Sequence, residues 1–435
     1  MTATPARVAA LRVLRSVRGG GLADRALDRA MAGLEARDRA WLQELVYGTL
    51  RLRGRLDHVL AGHVERGLAG LEPDVLDVLR LGAYQLLEMG GVPPYAAVSQ
   101  SVELAKQVRP SAAGLVNGVL MALSRRRQPL TYPALDADPV AHLSAWGSHP
   151  RWLVERWIQR YGVRDAAALV EWNNTRPAVF LRPLGLDPAE AASALAAAGV
   201  EVAVRGDTLQ LAAGADVRDA LAVVPAVVQD PGAARVAAFA ASVARGVVAD
   251  LCAAPGGKTL VLAQAPDVRY LLAADRSARR MRRVRDNLNR LTEQVGRQAP
   301  LALAVADGRR PPLREADVVL LDVPCTGTGT FRRHPDARWR IDPADLVKLA
   351  SLQRDLLDAA AGLLRPGGVL LYATCSLEPE ENGEQVDAFL ARNPAFQPAP
   401  ACVDGDSMNE MDRLVVLPQR DAMDGAFAAC LRRVR

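Results

Sequence analysis

The sequence predicts a multidomain protein with an all-α amino-terminal domain, a small α/β middle domain and a carboxyl-terminal α/β domain built on a doubly wound sheet. Three observations carry this reading. Apolar residues of the first 130 positions recur at helical spacing, short strand-like runs flank an alanine-rich helical stretch after Pro177, and from about residue 227 apolar runs alternate with helical segments. The expected boundaries are 1–130, 140–226 and 227–435.

In the first domain Thr4 is a candidate cap, Pro5 suits the first helical position, Val8, Leu11, Leu14 and Val17 share a face, and Gly19-Gly20-Gly21 ends the run. Arg7, Arg12, Arg15 and Arg18 occupy the remaining surface, either as a solvated face or as an RNA footprint. A second helical stretch, interrupted at Val92-Pro93-Pro94, closes on Arg125-Arg126-Arg127, and the proline-rich segment QPLTYPALDADP reads as a linker. Trp146, Trp152, Trp157 and Trp172 then fall in one helical segment, where core packing is favoured over base stacking. The run AVFLRPLGLDP, an alanine-rich helix and EVAVRGDTLQLAA form the middle module.

Composition bounds the function. With 50% hydrophobic and 24% charged residues the chain is globular, and no eighteen-residue apolar stretch or signal core is present, so a cytoplasmic protein without a membrane span is expected. Five cysteines without C-x-x-C spacing exclude a disulfide scaffold, and no histidine or second cysteine stands at zinc-ligand spacing, so no metal is expected. Residues 1–130 hold 18 Lys+Arg against 12 Asp+Glu, which places the basic excess of the chain in its helical third and makes a polyanion a candidate partner there.

The carboxyl-terminal domain carries the chemistry. Strand VVADL (247–251) runs into CAAPGGKT and a helix, a turn whose glycines let backbone amides approach a polar ligand. A nucleotide phosphate is one candidate, because GGKT resembles the end of a Walker A loop and VVLLD (318–322) a Walker B strand. That loop needs glycine five positions before Gly257, where Cys252 stands. S-adenosylmethionine explains more: LLAAD puts Asp275 at the next strand end, suited to ribose hydroxyls, and LALAVAD puts Asp307 at a third, suited to the adenine amine. Asp322 ends a fourth. Cys325, in Asp-Val-Pro-Cys, and Cys375, in Ala-Thr-Cys-Ser, each follow a buried-strand run, so two thiols are delivered to one sheet edge.

The motifs CAAPGGKT, DVPCTGTGTFRRHPD and YATCSLEPEEN closely resemble those of the Sun/Fmu family of ribosomal RNA (cytosine-5) methyltransferases. The resemblance spans the chain. RLGAYQLLEMGGVPPYAAVSQSVELAKQVRPSAAGLVNGVLMALSRRR is similar to the NusB-like RNA-binding domain of the bacterial small-subunit enzyme, SHPRWLVERWIQRYG resembles the start of its middle domain, and DGAFAACLRRV its final antiparallel strand. Gln100 departs from the pattern, which has an acidic residue there.

The resemblance implies a Rossmann-like class I methyltransferase domain that transfers a methyl group from S-adenosylmethionine to carbon 5 of a cytosine in 16S ribosomal RNA, the cytosine 967 activity, through a covalent cysteine–cytosine adduct. It assigns attack on carbon 6 to Cys375 and product release to Cys325, with Asp322 on the base edge. Cofactor contacts fall on Cys252, Ala253, Ala254, Pro255, Gly256, Gly257, Lys258, Asp275, Asp307 and Asp322, with Lys258 able to serve cofactor or base. The target base must be single-stranded or flipped out, and a monomer is expected. The six arginines of RSARRMRRVR (276–285) are either phosphate contacts or a solvated helix face, and Arg332, Arg333 and His334 are favoured as RNA contacts. A P-loop-like NTPase and a non-catalytic RNA-binding protein are the competing readings.

Overall fold

The computed structural model describes residues 2–126, 128–295, 299–399 and 413–434, so Arg127 of the triple-arginine run lies outside the described residues. The chain divides into two compact units, one formed by residues 1–176 with 331–341 and the other by 177–330 with 342–435. The boundary expected near residue 140 therefore falls inside the first unit.

That unit is helical: α1 Pro5–Arg18, α2 Ala23–Ala30, α3 Ala36–Arg51, α4 Arg53–Ala61, α5 Pro73–Leu87, α6 Pro94–Val108, α7 Ala113–Arg125, α8 Pro139–Ala145 and α9 Arg151–Asn174. Leu11, Leu14 and Val17 of α1 enter a core with Leu42, Leu45, Leu56, Leu79 and Leu120, as the periodicity requires. Pro5 starts α1, but the Thr4 side chain caps no backbone amide; its hydroxyl accepts from Arg7 at 3.0 Å instead. Gln100 Oε1 accepts from the Thr4 amide at 2.8 Å. Three of the four arginines of the α1 face are paired within the domain: Arg7 donates to Gln85 and lies over Trp41, Arg15 forks onto Asp74, and Arg18 reaches Asp74 and Asp77, while Arg12 is exposed.

The tryptophans do not share one helix, because α8 ends before Trp146 and α9 breaks at Gly162, whose φ of 79° no L side chain readily adopts. The 128–138 segment, expected as a linker, is irregular, and its Tyr132 stacks on His58 and meets Trp146. Arg332 is buried with its guanidinium 3.9 Å from the Trp172 ring centre, a packing role where an RNA contact was expected; His334 is exposed beside Asp24 at 3.3 Å. The same stretch donates more to this unit. Phe331 packs against Trp157 and His149, Trp339 Nε1 donates to the Leu50 carbonyl at 2.7 Å, and buried Arg338 donates to Asn173 O, Asn174 Oδ1 and Ser148 O.

The second unit opens with β1 Phe180–Pro183, α10 Pro188–Ala197, β2 Val202–Arg205, β3 Thr208–Leu211, α11 Val217–Val223 and β4 Ala226–Val228, an antiparallel sheet of order β2-β3-β1-β4. There follow α12 Pro231–Ala241, β5 Gly246–Asp250, α13 Gly257–Gln264, β6 Val268–Asp275, α14 Ala278–Val295, β7 Leu301–Val305, β8 Ala316–Asp322, α15 Pro343–Leu363, β9 Leu364–Thr374, α16 Gly383–Arg392, β10 Phe396–Pro398, β11 Leu414–Val416 and β12 Ala426–Arg433. The second sheet runs β10-β12-β9-β8-β5-β6-β7, with β11 beside β12, β5 to β9 parallel and β12 antiparallel to β9.

Alternation explains the layers. Val318 and Leu320 of β8 meet Phe239 of α12 and Leu262 of α13 on one face, while Val319 and Leu321 meet Leu356 and Leu357 of α15 and Phe389 of α16 on the other. From β5 the chain goes outward to β6 and β7, then returns to β8 on the opposite side of β5. This reversal opens a crevice at the carboxyl ends of β5 and β8.

Candidate active site

Every crevice residue belongs to the second unit. Register pairs Asp322 of β8 with Ala373 of β9, so the loops leaving those two strands emerge side by side. They bring Cys325 Sγ to 3.3 Å from Cys375 Sγ. Both thiols are partly buried. The hydrogen bond to Cys375, burial, and the charges of Cys375 and Glu381 together push the Cys325 thiol well above the usual range, so it holds its proton.

Glycine makes the close approach of these loops possible. A Cβ on Gly329 would lie 2.7 Å from Gly425 Cα and 2.8 Å from the Cys375 carbonyl, and the Gly329 amide donates to that carbonyl at 3.0 Å. Beneath the thiols lies a polar cluster. Glu381, fully buried, accepts from the Thr326 amide at 2.9 Å, the Thr326 hydroxyl at 2.5 Å and Gln353 Nε2 at 3.0 Å. The Ser376 hydroxyl lies 3.1 Å from that of Thr326, and the Tyr372 hydroxyl donates to the Glu381 carbonyl at 2.6 Å. Burial pushes the Glu381 carboxyl up, and the hydrogen bonds from Ser376, Thr326 and Gln353 act against that shift.

At the β5 end, Gly256 takes φ 107° and starts α13, whose first residue is Gly257. Lys258 then reaches Asp322, Nζ to Oδ2 2.7 Å. Burial works against its ammonium, but Asp322, Cys375 and Asp250 outweigh burial and raise its pKa. The lysine charge is thus coupled both to the base-facing candidate Asp322 and to the nucleophile candidate Cys375. Cys252 sits where burial and the carboxylates of Asp250, Asp322 and Asp275 all push its thiol up, so three acids converge on the turn.

Asp275, 3% exposed, ends β6, accepts from the Ser277 amide at 2.8 Å and lies 3.3 Å from Arg280, which also donates to the Ala254 carbonyl. Asp307 stands two residues beyond the end of β7 and is more open. Arg309 grips its carboxylate, Nη2 at 2.6 Å, and holds its pKa at about 2.

Asp250, the penultimate residue of the VVADL run, ends β5. Thr259 Oγ1 donates to its Oδ2 at 2.6 Å, while its buried Oδ1 makes no hydrogen bond. Burial first, then the charge of Asp322, raise its pKa to about 7, against the ordinary 3.8. A raised folded-state pKa means that the folded state holds the proton more tightly, so the stability it contributes is complete below pH 3.8 and is lost as pH rises through about 7. The expected result is a melting temperature that declines between about pH 4 and pH 7. Asp250→Asn should remove a part of that decline worth about 4 kcal/mol at most; scanning calorimetry of both proteins measures it, and equal slopes would reject it.

Of the residues expected at the site, the structure gathers Cys252, Lys258, Asp275, Asp322, Cys325 and Cys375, and leaves Asp307 paired outward. From sequence, Asp250, Gln353 and Glu381 are not singled out, and Arg280 is read only as part of the basic run 276–285. The signal for Glu381 was its place in YATCSLEPEEN, and for Asp250 its place at a strand end. Among the described residues no cluster of His, Cys, Asp and Glu could hold a metal ion.

A doubly wound sheet with an antiparallel last strand, a Gly-rich first turn and acidic strand ends defines an S-adenosylmethionine-dependent methyltransferase. The turn fits that cofactor: an orphaned buried carboxylate oxygen and two further acids suit a cationic ligand. The family described as 16S rRNA methyltransferase RsmB/F matches residues 240–432, the NusB family 4–125, and the ferredoxin-like domain of RsmF/B-like methyltransferases 149–218. The chain is 35% identical over 443 residues to ribosomal RNA small subunit methyltransferase B of Vibrio vulnificus, covering 98% of each, and 39% identical to a Mycobacterium tuberculosis methyltransferase, covering 99% of this chain and 97% of that one. The crystal structure of PH0851 superposes with a TM-score of 0.79 at 25% identity, covering 99% of both chains. NSun6 from Pyrococcus horikoshii with SFG shares the fold, with a TM-score of 0.55 at 20% identity over 66% of this chain and 98% of that one. The chain belongs to the RsmB/F family of 16S rRNA methyltransferases.

Proposed function

We propose that the protein methylates carbon 5 of a cytosine in 16S ribosomal RNA, at the position corresponding to cytosine 967, through a covalent adduct with Cys375. The observation that carries this is the pair of sulfurs 3.3 Å apart, beside the Lys258–Asp322 pair at the switch point of the sheet. Carbon 5 of cytosine is a weak nucleophile, and a methyl group on oxygen or an exocyclic amine would need no thiol at all. Addition of the Cys375 thiolate to carbon 6 opens the 5,6 double bond and places electron density on carbon 5. The cofactor supplies an electrophilic methyl group.

Lys258 favours the Cys375 thiolate by its charge and holds Asp322, which is placed to accept from the amino edge of the base. After transfer, the carbon-5 proton leaves to a base, the double bond re-forms, and the carbon–sulfur electron pair returns to Cys375. Cys325 is the base in this reading, as the thiolate left once its own proton has passed to solvent after attack, and the cytosine must be flipped or unpaired to enter. The helical domain, which matches the NusB family, holds the RNA.

The test is direct. Unmodified 16S rRNA incubated with the protein and S-adenosylmethionine should yield one 5-methylcytosine by bisulfite sequencing and nucleoside mass spectrometry. N4-methylcytosine or a ribose methyl group as the product would reject the reading.

A further inference from the structure

We infer that Glu381 is a positioning residue for product release: its buried carboxylate holds the Pro-Cys loop against the end of β9, so that Cys325 stays beside Cys375. This rests on the assignment of attack to Cys375 and release to Cys325. The carboxylate binds the residue following one cysteine directly, through both the amide and the hydroxyl of Thr326, and that hydroxyl lies 3.1 Å from the hydroxyl of Ser376, the residue following the other. Gln353 Nε2 bridges Glu381 Oε1, at 3.0 Å, to the Pro324 carbonyl, at 2.9 Å, which precedes Cys325. Cys325 is therefore clamped on both sides by contacts that converge on one side chain.

The two loops are not held equally. Residues 381–382 are fastened to β9 independently of the carboxylate, by Tyr372 to the Glu381 carbonyl at 2.6 Å, Thr374 to Asn382 at 2.5 Å and Asn382 to the Ser376 carbonyl at 2.8 Å. Cys375 itself directly follows the last residue of that strand. Loss of the carboxylate leaves the Thr326 amide and Gln353 without an acceptor in a buried site, a cost that the loop relieves by moving toward water. The displacement falls on Cys325 and spares Cys375. Attack and methyl transfer then continue while removal of the carbon-5 proton slows, and the carbon–sulfur bond persists.

The full chain is assayed with target RNA and S-adenosylmethionine for turnover, cofactor affinity, thermal melting and the fraction of RNA-linked protein on a denaturing gel. Glu381→Leu, which removes both acceptor oxygens, should lower kcat by about tenfold or more and raise the linked fraction at least about fivefold, with cofactor Kd within about twofold of wild type, as expected when an interaction made after attack is removed. Thr326→Val keeps the amide bond and loses the hydroxyl, so it should shift both readings the same way by less. Wild-type turnover in Glu381→Leu, or slow turnover without linked protein, would overturn the inference. Should Glu381→Leu fail to bind cofactor or melt far below wild type, Thr326→Val decides alone. Cys325→Ala is the control for the underlying roles: if it does not trap RNA, that assignment falls; if it traps and the Glu381 and Thr326 variants do not, only the positioning role falls.

Discussion

Cys375→Ala should reduce methylation to background and form no RNA-linked protein, whereas Cys325→Ala should still transfer one methyl group and then accumulate as a covalent complex that survives denaturing electrophoresis. The expected loss in turnover is about three orders of magnitude or more in each, because residues acting as a unit are not additive. The double variant should resemble Cys375→Ala.

In the proposed mechanism this order of events has a physical reason. The hydrogen bond to Cys375 first, then burial, then the charge of a Cys375 thiolate push the Cys325 thiol up. Once Cys375 is bonded to carbon 6, its sulfur is a neutral thioether, so that charge disappears and the hydrogen bond weakens. Cys325 then gives up its proton to solvent more easily, and its thiolate is formed after attack, when a base is wanted. An adduct that forms in Cys375→Ala and not in Cys325→Ala would reverse the roles; no adduct in either would remove the case for Cys325.

Asp275→Ala should weaken S-adenosylmethionine binding by about 2 to 4 kcal/mol, equivalent to roughly 30- to 900-fold in Kd, because two charge-assisted hydrogen bonds to ribose hydroxyls are lost. The Ser277 amide, which now donates to Asp275, loses its acceptor as well. Titration calorimetry on the folded variant measures the change. Unchanged affinity would place the ribose elsewhere, and Asp307, already held by Arg309, is the next acid along the same sheet edge.

The sheet and its ligand edge were legible because parallel strands covered on both faces read as unbroken apolar runs, and VVLLD and GVLLYAT do so. Strand ends then point to the crevice without any knowledge of packing. What lies between strands was hidden. Lys258 and Asp322 are 64 positions apart and Thr326 and Glu381 55, so neither pairing has a periodicity to betray it. The protonation of Asp250 depends on burial, which a strand-final aspartate does not announce. Arg332 was misread for a related cause: a basic run after a loop looks solvated, and its partner Trp172 stands 160 positions earlier in the chain.

Residues 331–341 belong to the compact helical unit although they follow the Pro-Cys loop in sequence. Inheritance of this protein by simple domain shuffling is therefore obstructed. A gene segment ending at residue 176 would encode helices that lack their Trp339 donor at Leu50 and the Arg338 fork at Asn173 and Asn174, with the floor normally made by Phe331 open to water. Grafting the reaction domain onto another RNA-binding partner would face the converse problem, an eleven-residue loop selected to complete someone else's core. The two parts are thus expected to travel through evolution as one cassette, with sequence change in 331–341 tracking α3, α4 and α9 more closely than the catalytic strands.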